Sequence, residues 1–264
     1  MARPIALTLT LAASLCALDA ARAAGPQEVF GDAWTQAGPA ERLALLSTAQ
    51  TDRSVESREV QAAVEETVRA ALAPGETAEA RLQLLGRLRA EAQALLKTKN
   101  EERKQAGGRS ASFSEPSNDT QQAVALDYVA EAAGAAPSLE LLGCLALVRE
   151  ATSWVSHHGL VLAFVSEAIN RDEGYRAAGL EGKLAVIRDL AIDRKMLGDQ
   201  ERKYLEQALV VEHLSARLRA GDAPAALVDT VKKWREKGLV CFFTQSFAEG
   251  MLKRLGEHRA ARGQ

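Results

Sequence analysis

Aromatic residues are scarce in this sequence, at 5% of 264 positions, and β-branched residues seldom run together. Sheets draw heavily on both, so their scarcity points away from a β fold. Ala and Leu dominate instead, and both favour helix. No segment alternates between apolar and polar residues long enough to make a half-buried strand. An excess of charge is missing too: 33 Lys and Arg face 35 Asp and Glu, a formal net charge of −2. The strong basic excess of a nucleic-acid binder is absent, and no nucleic-acid partner is expected. Cysteine is nearly absent, with three in the chain.

Reaction motifs are also lacking. The chain has no Gly-x-Ser-x-Gly elbow, no phosphate-cradling loop ending in Lys-Ser or Lys-Thr, and no Gly-x-Gly-x-x-Gly. His-Glu-x-x-His and Cys-x-x-Cys do not occur either. An enzyme is therefore the less favoured reading, and no cofactor is expected.

What the sequence does have begins at its amino terminus. Met1-Ala-Arg-Pro gives a short positive start, and Ile5 to Leu18 is an apolar run too short to span a bilayer comfortably. Ala21-Arg22-Ala23 then fits a small-x-small cleavage site. This pattern predicts a signal peptide over 1–23 and an exported chain, periplasmic or secreted, with no transmembrane segment in its mature form. Leu15 precedes Cys16, where a lipid-modified cysteine needs a small residue, which speaks against a lipoprotein. Cys144 and Cys241 are then the remaining thiols, and one disulfide or two separate thiols are both open. Their apolar helical settings favour two separate buried thiols.

Along the chain, Val60, Val64, Val68 and Leu72 form an i to i+4 stripe that ends at Pro74-Gly75. Leu82, Leu85, Leu88, Ala92 and Leu95 form the next, predicting two helices packed antiparallel through that turn. Residues 97–104 carry nothing apolar, and 107–118 reads as a flexible low-complexity stretch. The domain map is accordingly an N-terminal helical region over 24–106, a flexible linker over 107–118 and a C-terminal helical domain over 119–264. Asp119 with Gln122 suggests a capping-box start to the helix that follows.

Leu139 to Val148 is apolar, Cys or Gly at every position but Glu140, the pattern of a helix surrounded by others. With Trp154, Val155 and Leu160 to Val165 it reads as a central helical hairpin turning near Gly159. Further stripes follow: Leu180, Leu184, Ile187 and Ala191, then Tyr204, Ala208, Val211, Leu214 and Leu218. Leu227, Val231 and Trp234 lead to a stop at Gly238, and the last helix, Leu239 to about His258, carries Phe243, Phe247, Met251 and Leu255.

About ten helices joined by short turns give an all-α fold whose sequential helices lie antiparallel. Hairpins recur at about forty residues, within the range of two-helix solenoids, though no tetratricopeptide or ankyrin pattern is present. The architecture expected is stacked antiparallel helical hairpins, irregular and α-solenoid-like, with a helical bundle as the alternative.

One polar cluster interrupts the apolar centre. Glu150, Trp154 and His157 share a helix face if the helix persists, with His158 beside them. A Glu and two His could hold a divalent metal or form an acid–base pair. Capping of a helix end before Gly159 is the favoured reading, since His in a last turn meets free carbonyls and the negative dipole end. A second feature is basic: Lys232, Lys233, Arg235, Lys237, Lys253, Arg254, Arg259 and Arg262 outnumber Glu236, Glu249 and Glu257. This stretch could meet an acidic partner or surface, or be an ordinary solvated face. The function expected is that of an exported non-catalytic interaction or scaffold module with a protein partner. The alternative is a small helical enzyme, or a ligand- or metal-binding protein, with a pocket near Glu150 and His157.

Overall fold

The computed structural model describes residues 25–72, 75–134 and 137–261, so the segment 1–23 expected to be a signal peptide, Pro74 and Arg262 lie outside the described residues. About 80% is helical with no strand among the described residues, and the fold is all-α. Contacts divide the chain into two compact units, one reaching Thr120 and one starting at Gln121.

In the first unit, short helices α1 (Pro26–Phe30) and α2 (Asp32–Gln36) precede α3 (Pro39–Asp52), α4 (Ser57–Ala71) and α5 (Ala78–Gln105). Pro39 opens α3 at the position where its missing N–H is not needed. α3 packs along both α4 and α5 and buries Leu43, Ala44 and Leu46 between them. The valine stripe of α4 is buried as its spacing predicts. On α5 the stripe ends at Leu96, while Leu95 faces out.

The stretch 107–118 corrects the expectation of a flexible linker. It runs as an extended strap bound to α3, α4 and α5. Asn100 exchanges two hydrogen bonds with Ala111, its Nδ2 donating to the carbonyl at 2.8 Å and its Oδ1 accepting from the amide at 2.7 Å. Ser114 N–H donates to Ser47 Oγ at 2.9 Å, and Arg89 forms a two-point pair with Glu115 at 2.9 and 3.0 Å. Glu65 accepts from Ser117 N–H at 2.5 Å and from the Thr120 hydroxyl. Ala111 and Phe113 pack on Ala44 and Leu96. Low complexity denied the strap an ordinary core, but its exposed amides and hydroxyls found side-chain partners on the helices.

The next helix, α6 (Asn118–Ala133), is capped by Ser117, whose Oγ accepts from Thr120 N–H at 3.1 Å, two residues ahead of the expected Asp119. The second unit continues with a 3-10 turn (Leu139–Cys144), α7 (Leu145–Ala151), α8 (Trp154–Arg171), α9 (Glu173–Ala177) and α10 (Leu180–Arg188). A π turn (Asp189–Asp193) leads to α11 (Asp199–Arg219), α12 (Pro224–Glu236) and α13 (Phe242–Ala261).

The central hairpin turns at Thr152–Ser153, not near Gly159. Thr152 is extended, and Ser153 Oγ caps α8 by accepting from Ser156 N–H. Gly159 lies inside α8 and faces out. The run Leu139–Val148 is buried on one stripe, Leu142, Leu145 and Val148, because Gly143 and Ala146 face solvent. Cys144 and Cys241 are free and half-buried.

α10 to α13 build the core of the second unit from Leu184, Val210, Leu214, Val231, Trp234 and Leu252. α12 ends in a Schellman motif: Gly238 N–H donates to Arg235 O at 2.9 Å, and Leu239 N–H donates to Trp234 O at 2.9 Å. Gly238 takes φ +70°, the left-handed conformation this end requires. The turn sends α13 back along α12 as a tight hairpin.

Candidate functional site

The break at Thr152–Ser153 separates the residues that one helix face was expected to join. Glu150 stays on α7, exposed, whereas His157 and His158 fall in the first turns of α8. The capping reading is corrected with it, since both histidines sit at the positive end of a helix and not at the negative end. Among the described residues no group of three His, Cys, Asp or Glu is placed to hold a metal ion.

His157 is buried and its bonds define its tautomer. Thr152 Oγ1 donates to Val148 O at 2.7 Å, so at 3.0 Å it accepts from His157 Nδ1–H. With its hydroxyl proton given to the backbone, Thr152 is not poised as a nucleophile activated by His157. Burial pushes the His157 pKa down, outweighing the pull of Glu201, and Arg149 and His158 push in the same direction. The Glu201 carboxylate is spent on Arg149, whose Nε donates to it at 2.9 Å while Nη2 donates to Met196 O at 3.1 Å. This pair braces α7 against the start of α11. A Cβ on Gly198 would run into the Glu201 carboxylate, so the close fit needs glycine there.

An aromatic shelf covers this brace. Trp154 meets His157 edge-on at 5.5 Å, lies 5.4 Å from His158 and stacks with Tyr204 at 6.3 Å. Lys203 Nζ sits 4.9 Å above the Tyr204 ring. His158 Nδ1–H donates to the carbonyls of Trp154 and Val155. Three clefts, of about 370, 480 and 360 Å³, are lined elsewhere, and none takes a wall from Glu150, His157 or His158.

The basic stretch fares differently. Of the row Phe243, Phe247, Met251 and Leu255 on the last helix, only Met251 is partly buried against the core. Thr244, Ala248 and Leu252 face the core, and Phe243, Phe247 and Leu255 face out, with Phe242 beside them. Phe242 and Phe243 are 61% and 68% exposed, and their rings meet edge-on at 5.9 Å. A register shift of one residue along a helix moves a stripe by about 100°, enough to turn three large side chains from core to surface. With Thr244 facing the core, Phe243 stands about 100° and Phe242 about 200° around the helix from it. Trp234, by contrast, lies in the core as its stripe predicts.

The start of α13 is held by a buried carboxylate. Glu206 on α11 has no exposed surface, accepts from Cys241 N–H at 2.7 Å and pairs with Arg202 at 2.6 Å. An acid at a helix N-terminus meets unpaired N–H groups and the positive dipole end. The hairpin tip that presents the phenylalanines is thus fixed from behind.

The fold and these contacts define an all-α protein of helical hairpins, with a buried polar brace and an apolar surface at one hairpin tip. No family model, curated protein or solved structure matches the chain.

Proposed function

We propose that the protein is an exported, non-catalytic interaction module whose helical hairpins present docking surfaces to a constituent of the cell envelope or exterior. The observation that carries this reading is the outward apolar stripe of α13. Single exposed apolar residues are ordinary, but adjacent large ones on a fixed element mark contact surfaces. The Thr152–His157 and Arg149–Glu201 pairs support it from the other side, because their polar atoms are engaged with one another in a structural brace. Export is supported by the positive start, apolar run and cleavage pattern of residues 1–23.

Photo-crosslinking in the native cell, followed by capture of the full chain, tests the proposal. The native chain is expected to carry envelope constituents that a Phe243→Ser, Phe247→Ser variant loses. Equal capture by both chains, or turnover of a substrate that depends on His157, would overturn it.

A further inference from the structure

The tip of the α12–α13 hairpin brings two chemistries together. The last turn of α12 exposes Lys232, Lys233, Arg235 and Lys237, and the first turns of α13 expose Phe242, Phe243 and Phe247. Lys237 is engaged by Glu181 at 2.8 Å. Among the described residues the other three cations have no carboxylate within ion-pair distance, and the one acid in the same turn is Glu236. Exposed cations at the end of one helix and exposed aromatic rings at the start of the next are matched by a surface that offers negative charge and apolar depth at once.

From this juxtaposition we infer that the α12–α13 tip docks onto an anionic lipid bilayer, its phenylalanines entering the headgroup boundary and its cations resting on the lipid phosphates. The inference rests on the interaction reading above and names the partner. Aromatic and apolar side chains gain by entering that boundary, and neighbouring Lys and Arg gain from anionic headgroups. A second copy of this chain fits less well, since a two-fold contact would bring the same cationic patch of both copies into one interface with a single acid, Glu236, in each. The whole chain carries a net −2, so with Lys232, Lys233, Arg235, Lys237 and Glu236 set aside the remainder is −5; positive charge is concentrated at the tip, and it is the tip that an anionic surface attracts. Ordering costs are small because Glu206, the Schellman turn and the Trp234 core hold the tip in place before it binds.

Flotation with vesicles tests this, using the full processed chain after its amino terminus has been read to show that the apolar run 5–18 is gone. The chain is expected to float with equimolar phosphatidylcholine and phosphatidylglycerol, to stay behind with phosphatidylcholine alone, and to be released by salt. Replacing Lys232, Lys233 and Arg235 with Ala should weaken binding by about fivefold for each cation removed. Phe243→Ser with Phe247→Ser should abolish flotation without changing the melting curve, since both side chains are exposed. No flotation on anionic vesicles at low salt, or flotation undiminished in both variants, overturns the inference. So does a dimer in sedimentation velocity that the phenylalanine variant dissolves. If flotation fails while the same variant still loses a crosslinked protein, the lipid partner is wrong and the interaction reading stands. Loss of both ends both.

Discussion

His157 is kept neutral by its surroundings, and that has a consequence for stability against pH. Its pKa is lowered in the folded chain from an ordinary value of 6.5, first by burial, which outweighs the opposing pull of Glu201. Below that value the unfolded chain takes up a proton that the native chain refuses. The contribution is therefore complete above 6.5 and is lost as pH falls from there toward the depressed native pKa. Urea midpoints measured at about pH 7.5 and about pH 5.5 should differ, with the acid value lower, and His157→Gln should reduce the difference. An unchanged difference would mean that His157 does not titrate abnormally. Gly159 gives a second test at this scale. It sits inside α8 with open space around a would-be Cβ and no positive φ, so Gly159→Ala should stabilise by about 0.5–1 kcal/mol. A turn at Gly159 would give the opposite sign in a thermal melt. The sequence exposed the unusual chemistry of residues 150–158 but not its partners. Glu201, which pairs with Arg149 and pulls on His157, is a buried carboxylate 50 residues or so away on α11, and nothing in a helical stripe marks a glutamate as a core residue.

At the scale of elements, the periodic stripes of α4, α5 and α12 were legible because a single apolar row decided which side faced inward. α11 and α13 were not, since each offered a second row. The core of α11 runs through Glu206, Val210 and Leu214 in place of Tyr204 and Ala208, and that of α13 runs one residue beyond the phenylalanines. The strap 107–118 escaped for another reason. Its order comes from side chains more than fifty residues earlier as well as from α5, as the Ser114–Ser47 and Ser117–Glu65 bonds show. Asn100 acts there as a substitute strand, offering Ala111 both a donor and an acceptor. Asn100→Ala leaves both backbone groups of Ala111 to find water, at about 1 kcal/mol for each lost hydrogen bond. Limited proteolysis should then cut between Arg109 and Phe113 several times faster than in the native chain. Equal cutting rates would show that the apolar contacts of Ala111 and Phe113 hold the strap without Asn100.

Over the whole molecule, the all-α class followed from composition, helical stripes and the lack of alternating segments, while the boundary between units required contacts. The composition shift at 107–118 pointed to the right neighbourhood. The division falls at Thr120–Gln121, because the strap belongs by its bonds to the first unit. Among the described residues no helix is long and apolar enough to cross a membrane. The bilayer contact inferred for the α12–α13 tip requires the chain to reach the compartment where that bilayer face lies. Residues 1–23 carry the means proposed for this. The apolar run Ile5–Leu18 lacks a polar face beyond Thr8, Thr10 and Ser14, so it suits a translocation channel better than the surface of a helical domain. Ala21 and Ala23 supply the small side chains a signal peptidase accepts. Amino-terminal sequencing of the chain recovered from the envelope or medium should begin at Ala24. Replacing Ala21 and Ala23 with bulky residues should leave a precursor about 2 kDa heavier. Recovery of chain starting at Met1 from the cytoplasm, at the abundance of the native protein, would reject export and confine any bilayer contact to the cytoplasmic face.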